Sequence, residues 1–250
     1  MKKIIVATVL AAVGSTAALA ADLGARAPYA KAPAMVAVGN WSGFYIGANV
    51  GYGWGSGHTE IVGLPDPEFG LPRTALDTNP KGVIGGAQIG YNWQVGSLVT
   101  GLEADIQGSG IKGSTSRTVS IGGGPATLTA SEKLNWFGTV RGRLGFAATP
   151  DLLLYGTGGL AYGEFENSGS INFPNIQYPA TAGSTKVGWT VGAGAEWMLA
   201  RTWSVKAEYL YMDLGSASAI GRSPLNRSFQ SQSTWHHQDH IVRAGVNYHF

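Results

Sequence analysis

Cysteine is absent and charge is scarce: 13% of the 250 residues are Asp, Glu, Lys or Arg, against about a quarter in an average soluble domain. The first absence excludes a disulfide scaffold and any Cys-ligated metal site. The second is unusual for a soluble enzyme. No basic block occurs either. The 17 Lys and Arg face 15 Asp and Glu, and two of the bases, Lys2 and Lys3, lie in a segment expected to be cleaved, which leaves a nearly neutral chain. Such a chain has no electrostatic footprint for nucleic acid. Beyond its first segment it has nothing close to the ~20 consecutive apolar residues of a membrane-spanning helix. Gly-x-Ser-x-Gly and His-Glu-x-x-His motifs are missing, which removes the common hydrolase and metalloprotease sites.

What is present begins with an address. Lys2 and Lys3 precede an apolar run from Ile4 to Val13, and small residues follow as far as Ala18-Leu19-Ala20. This is the pattern of a secretory signal peptide over residues 1–20, with a mature start at Ala21. Residues 21–40 are Ala/Pro-rich and non-periodic, and read as a flexible or partly extended leader.

Residues 41–250 have a period of two, the strand signal. In the first segment Phe44, Ile46, Ala48, Val50, Tyr52 and Trp54 share one face, and Tyr45, Gly47, Asn49 and Gly51 the other. Six later segments divide likewise, with Leu134, Trp136, Val140, Leu144 and Phe146 assigned to one apolar face. A seventh, Leu152 to Gly163, leaves its apolar face open. Tight links near Val95-Gly96, Thr149-Pro150-Asp151 and Ala200-Arg201 alternate with Gly/Ser/Pro/Asn-rich stretches at 55–80, 109–131, 164–184 and 215–235, expected to be four long loops. Short turns at one end and long loops at the other predict an all-β, eight-stranded antiparallel up-and-down transmembrane β-barrel.

Alternation alone does not say which face points inward. A secreted lipocalin-like barrel would bury its apolar face and cover the other with Lys and Glu. Here the polar face is mostly Gly, Asn, Gln and Thr, sized for a narrow lumen. It also carries Glu103, Asp105, Glu196 and Glu208 with Arg141, Arg143, Lys206 and Arg243. Four acids and four bases on one face predict an internal ion-pair network, serving as a plug or lining a narrow, gated path. Across the turns, Glu103 is expected roughly opposite Gln88, and Glu196 near Lys206 or Ser204. Tryptophan collects at membrane–water interfaces, and all eight fall at strand ends. Trp41, Trp93, Trp197 and Trp203 lie on the short-turn side, and Trp54, Trp136, Trp189 and Trp235 on the long-loop side, so two aromatic girdles are expected.

The segments Asn40-Trp41-Ser42-Gly43-Phe44-Tyr45-Ile46-Gly47 and Gly51-Tyr52-Gly53-Trp54-Gly55 resemble the opening of the alphaproteobacterial outer-membrane immunogenic proteins, a porin-like, OmpA-type barrel family. The run Leu154 to Gly163 and the ending Val242-Arg243-Ala244-Gly245-Val246-Asn247-Tyr248-His249-Phe250 are similar to the family too. The resemblance implies an eight-stranded barrel in a Gram-negative outer membrane, without the peptidoglycan-binding domain of the full-length OmpA type. It also implies insertion by the barrel-assembly machinery, with Tyr248 and Phe250 matching the C-terminal signal that this machinery reads.

Chemistry is sparser than architecture. Gly156 to Ala161 fits Gly-x-Gly-x-x-Ala, but no helix follows to hold a pyrophosphate, so it reads as strand packing. His58, His236, His237 and His240 are brought near one another when the last strand closes on the first. On one extended strand His236 and His240 stand ~13 Å apart, too far to share an ion, so the histidines read as a polar collar near the headgroups. No cofactor is expected. Loop 55–80 is acidic (Glu60, Asp66, Glu68 and Asp77 against Arg73), while Lys112, Arg117, Arg222 and Arg227 are basic positions, read either as contacts for lipopolysaccharide phosphates or as ordinary solvated loop charges. The expected role is non-enzymatic: envelope structure and surface interaction through the loops, with outer-membrane lipid and surface or host ligands as partners. A narrow porin-like channel and a lipid A-modifying enzyme on the rim are the alternatives.

Overall fold

The computed structural model describes residues 40–64, 74–121, 124–174, 176–222 and 230–250. The expected signal peptide, and all of the leader except Asn40, lie outside them. Among the described residues every regular element is a strand: β1 (Gly43–Leu64), β2 (Thr74–Thr78), β3 (Lys81–Val95), β4 (Leu98–Ser109), β5 (Lys112–Ile121), β6 (Gly124–Thr149), β7 (Leu152–Phe173), β8 (Ile176–Ala200), β9 (Trp203–Arg222) and β10 (Gln230–His249).

Eight of these form a closed antiparallel ring, β1-β3-β4-β6-β7-β8-β9-β10, with β10 pairing back onto β1 from Tyr45↔His249 upward. The other two prolong staves already in the ring. β2 continues β3 along β1, and β5 continues β4 along β6. The break before β3 falls at Asn79-Pro80, where proline has no N–H to give the ladder; the Pro80 carbonyl still accepts from the Gly55 amide at 2.9 Å. Closure leaves the ring itself without an exposed edge, a requirement for any sheet that crosses lipid.

The apolar residues face outward. Phe44, Ile46, Val50, Val83, Ile89, Leu102, Ile106, Val140, Leu144 and Val246 are all exposed, while their polar neighbours are buried. In β7 both faces are apolar, which is why its pattern is ambiguous in the sequence: Leu153, Tyr155 and Ala161 point in, Leu154 and Leu160 out. Leu134 departs from its expected face. A bulge between Leu134 and Trp136 inserts one residue, and this reverses the phase, so Leu134 is buried inside with Phe137.

The turn of β3 into β4 is Gly96-Ser97, with Gly96 at φ 62°, a left-handed conformation that glycine adopts at little cost. This turn sets Glu103 opposite Gly90 and Gln88 opposite Asp105, two residues from the expected register. A two-residue slip preserves the faces, whereas a one-residue slip would invert them. Glu196 pairs with Lys206 as expected.

The four expected loops are largely strand. β6 is 26 residues long and β8 is 25, where crossing a bilayer takes about 9–11. Strand fills 55–64, 74–78, 112–121, 124–131, 164–173, 176–184, 215–222 and 230–235 of the stretches assigned to loops. The reason is a second, weaker alternation: Leu76, Leu128 and Ala130 form their own buried cluster, packed by Val119 and Ile171. Polar composition there signals a solvated ribbon rather than a loop.

Because that cluster is separate from the ring below it, Leu128→Asp is expected to open the β5–β6 ribbon alone. Limited proteolysis should then cut within 112–131 while the folded, heat-shifted gel band persists. Loss of the band would show that ribbon and barrel fold as one unit.

Candidate functional site

The lumen is the polar core of the molecule. All eight charged residues expected on the polar face, Glu103 and Asp105 (β4), Arg141 and Arg143 (β6), Glu196 (β8), Lys206 and Glu208 (β9) and Arg243 (β10), are at most 5% exposed. They meet in one network. Arg141 donates to Glu103, to Asp105 at 3.1 Å, to Glu208 at 2.8 Å and to the Thr157 hydroxyl at 3.0 Å. Arg243 clamps Glu208 through Nε at 2.7 Å and Nη2 at 2.6 Å, and reaches Asp105 at 3.0 Å. Lys206 lies 3.1 Å from both Glu103 oxygens. With Arg243 Nη2 at 3.5 Å, Glu103 is held by three cations.

Arg143 and Glu196 form a second centre nearer the short turns. Their ion pair is closed on one side by Asn247, which donates to Glu196 at 2.7 Å, and by Ser204 and His249. On the other side the Arg143 guanidinium lies 3.7 Å from the centroid of the Tyr155 ring, a cation–π contact. Tyr45 joins the two centres, donating to Glu103 at 2.7 Å while Arg143 lies 3.4 Å from its hydroxyl.

Two glycines make this packing possible. A Cβ at Gly90 would meet the Tyr45 ring at 2.4 Å, and one at Gly194 the Tyr155 ring at 2.6 Å. Each tyrosine lies across the bare backbone of its cross-strand partner, and that brings it within reach of the charges. Tyr155, Thr157, Asn247 and His249 are site residues that sequence reasoning did not single out. Phase gives the last two, since both share a face with Arg243 and Gly245; the ambiguous β7 hides the others.

Apolar layers close the network from both ends. Toward the long strands lie Ile84, Ile111, Leu134, Phe137, Phe165, Leu210, Met212 and Ile241. Toward the short turns lie Trp41, Val99, Ala147, Leu153 and Tyr155. Trp41 is therefore not a girdle residue: it is fully buried, its amide donating to Gln94 at 2.7 Å and its ring edge-on to His249. Its odd number already places it in phase with inward Tyr45.

Trp93, Trp197 and Trp203 are exposed at the short-turn end, Trp54 and Trp189 at the other. Trp136 is half-buried, its indole donating to Glu164 at 2.8 Å. The Trp235 side chain lies outside the described ones. Tyr91 packs on Trp93 and Tyr248 on Trp203 and Phe250, while Trp54 stacks on His240, which accompanies Tyr209 and Tyr211. Ten residues separate Phe44 from Trp54; at ~3.3 Å each along a stave tilted about 40°, that is roughly 25 Å of height, the apolar band of an outer-membrane barrel. The backbone register sets His58 opposite His236 and Asp77; the side chains of His58, His236 and His237 are outside the described ones, as are Asp66, Glu68, Arg73 and Arg227.

An outer membrane protein beta-barrel domain model matches residues 7–250. The chain belongs to that family. It is 39% identical over 251 residues, the whole of both chains, to the 31 kDa outer-membrane immunogenic protein of Brucella melitensis. It is also 34% identical over 178 residues to the 22 kDa outer membrane protein of Rhizobium leguminosarum bv. viciae, covering 71% of this chain and 66% of that one. The solved structure of outer membrane protein OprG from Pseudomonas aeruginosa covers 85% of this chain and 99% of its own at a TM-score of 0.52 and 13% identity, a likeness of fold. This outer-membrane barrel therefore lies in a bacterial outer membrane, with its short turns at the periplasmic end.

Removing one member of a buried ion cluster strands its partners, at about 3–5 kcal/mol. Arg141→Ala should lower the urea midpoint of the folded barrel accordingly, while Arg201→Ala, on the exposed 201–202 turn, should leave it within about 0.5 kcal/mol. Equal midpoints for both would show that the network adds nothing to stability.

Proposed function

We propose that the protein is a closed, non-enzymatic outer-membrane barrel that reinforces the envelope and presents its strand ribbons as an interaction surface. One observation carries this reading: charges on β4, β6, β8, β9 and β10 are cross-linked through the lumen and sealed between two apolar layers. An eight-stranded ring is just wide enough for side chains to fill, and here they fill it with mutually neutralising groups. An ion entering would have to break Arg141 and Arg243 away from Glu103, Asp105 and Glu208, carboxylates they share with each other and with Lys206. The ribbons, held by their own small cluster, are rigid enough to offer a defined surface to ligands. The name of the Brucella relative, an immunogenic protein, fits such surface display. Half-buried Tyr248 and exposed Phe250, side by side at the end of β10 with rings 5.0 Å apart, are the outward residues that assembly machinery would grip.

Planar-bilayer recordings of the refolded protein test the reading. Silence is expected from the wild type, and small open steps from Arg141→Ala/Arg143→Ala, which removes one guanidinium from each of the two centres. Reproducible wild-type steps that scale with salt would make the barrel a channel and the charges its selectivity residues. An altered set of lipid A species on expression would instead restore an enzymatic role.

A further inference from the structure

Three lysines distant in sequence stand side by side on the outside of the barrel. Lys81 of β3 is directly opposite Lys112 of β5, and Lys112 is directly opposite Lys133 of β6. All three are exposed; Lys112 and Lys133 adjoin the buried Ile111 and Leu134, and Lys81 is out of phase with the buried Ile84. Like charges directly opposite one another destabilise a sheet. Among the described residues Lys81 and Lys112 form no ion pair, and Lys133 has only Glu166 at 4.0 Å, with both side chains about half exposed, an interaction of little worth. The arrangement lacks an anion.

The height of the row identifies the anion. Lys81 is opposite Trp54, and Trp54 is opposite His240, so the row continues the aromatic collar at the upper edge of the apolar band. Val83, one outward step below Lys81, is 67% exposed and faces hydrocarbon. At this level, on this face, the neighbour is a lipid headgroup, and the outer leaflet of a Gram-negative outer membrane presents the phosphates of lipid A. One step above, Ser114, Ser131 and Ser168 form a parallel row. With Lys112, Lys133 and Glu166 they line a groove of about 540 Å³, offering hydroxyls where a phosphorylated sugar needs them.

We infer that Lys81, Lys112 and Lys133 form a binding site for the phosphorylated diglucosamine headgroup of lipid A, with the Ser114–Ser131–Ser168 groove receiving its sugar. The stave tilt of roughly 35–45° spreads the ammoniums through the depth of that headgroup. Each makes a charge-assisted contact at the membrane surface. Glu166 sets the limit of the site by repelling phosphate beyond Lys133. The site does not depend on whether the lumen conducts, because it uses only outward residues.

The test measures binding of purified bisphosphorylated lipid A, and of the same lipid A after enzymatic dephosphorylation, to the refolded protein in uncharged detergent micelles. Wild type should prefer the bisphosphorylated form by about tenfold or more, and Lys81→Gln/Lys112→Gln/Lys133→Gln should abolish that preference. The corresponding triple Arg variant should keep it, and Glu166→Gln should strengthen it a few-fold. The heat-shifted gel band checks folding; if the triple Gln variant fails to fold, Lys112→Gln and Glu166→Gln must move affinity in opposite directions. Unchanged phosphate preference in the Gln variants overturns the assignment. So does displacement of lipid A by inorganic phosphate or a soluble sulfated oligosaccharide, which would make the row a surface for soluble anions.

Discussion

The buried ion cluster around Glu103 is the constraint on which the architecture depends. A closed eight-stranded ring gives each stave one face toward lipid and one toward a lumen too narrow for bulk water. The lipid face has to be apolar. A lumen of charges is tolerable only if each is neutralised and hydrogen-bonded within the protein. That requirement selects four acids and four bases. It also selects the aids around them: Thr139 donating to Asp105, Thr157 accepting from Arg141, and Asn247 and Ser204 completing Glu196. It further explains bare backbone at Gly90 and Gly194, since a side chain at either place would evict the tyrosine that bridges or stacks on the cations.

The same cluster organises the axis of the barrel. Ionic groups occupy the middle, where the outside is most apolar, and apolar groups occupy both ends, where the outside becomes aromatic and then wet. The barrel is thus the inverse of a soluble protein across its wall, yet not along its axis. Placing the apolar layers at the mouths keeps water away from the ion pairs and so keeps their mutual attraction strong. Trp41 does this at the periplasmic end. It lies ahead of β1, folded into the mouth, where the Ser42 hydroxyl accepts from the Gln94 amide.

Much of this was legible in the sequence because period-two alternation and charge balance are local or additive properties. The eight network residues could be placed on one face without knowing which strands adjoin. What failed was whatever depends on counting through an irregularity. The bulge at Leu134/Trp136 reversed a phase, and the Gly96-Ser97 turn moved a register by two. Polar ribbons read as loops because their apolar face is thin, a few residues such as Leu76, Leu128 and Ala130 rather than a continuous stripe. Trp41 was assigned by its position at a strand end, when its phase with Tyr45 pointed inside.

The lysine row shows a different limit. Lys81, Lys112 and Lys133 belong to three segments, and each alone is an ordinary exposed charge. Only the pairing of β3 with β5 and of β5 with β6 makes them a row, and this pairing exists because β5 continues β4 between β3 and β6, carrying the β3 register of Ile84↔Ser109 on to Lys81↔Lys112. Charges inside the barrel were assembled so that each has a partner in the protein. The lysines on the outer face at the girdle level have, among the described residues, no such partner beyond the solvent-exposed Lys133–Glu166 pair. In a structure that neutralises its eight network charges so fully, an outward row of ammoniums with only the weak Lys133–Glu166 pair is most simply completed by the membrane itself, whose outer leaflet supplies phosphate at that height.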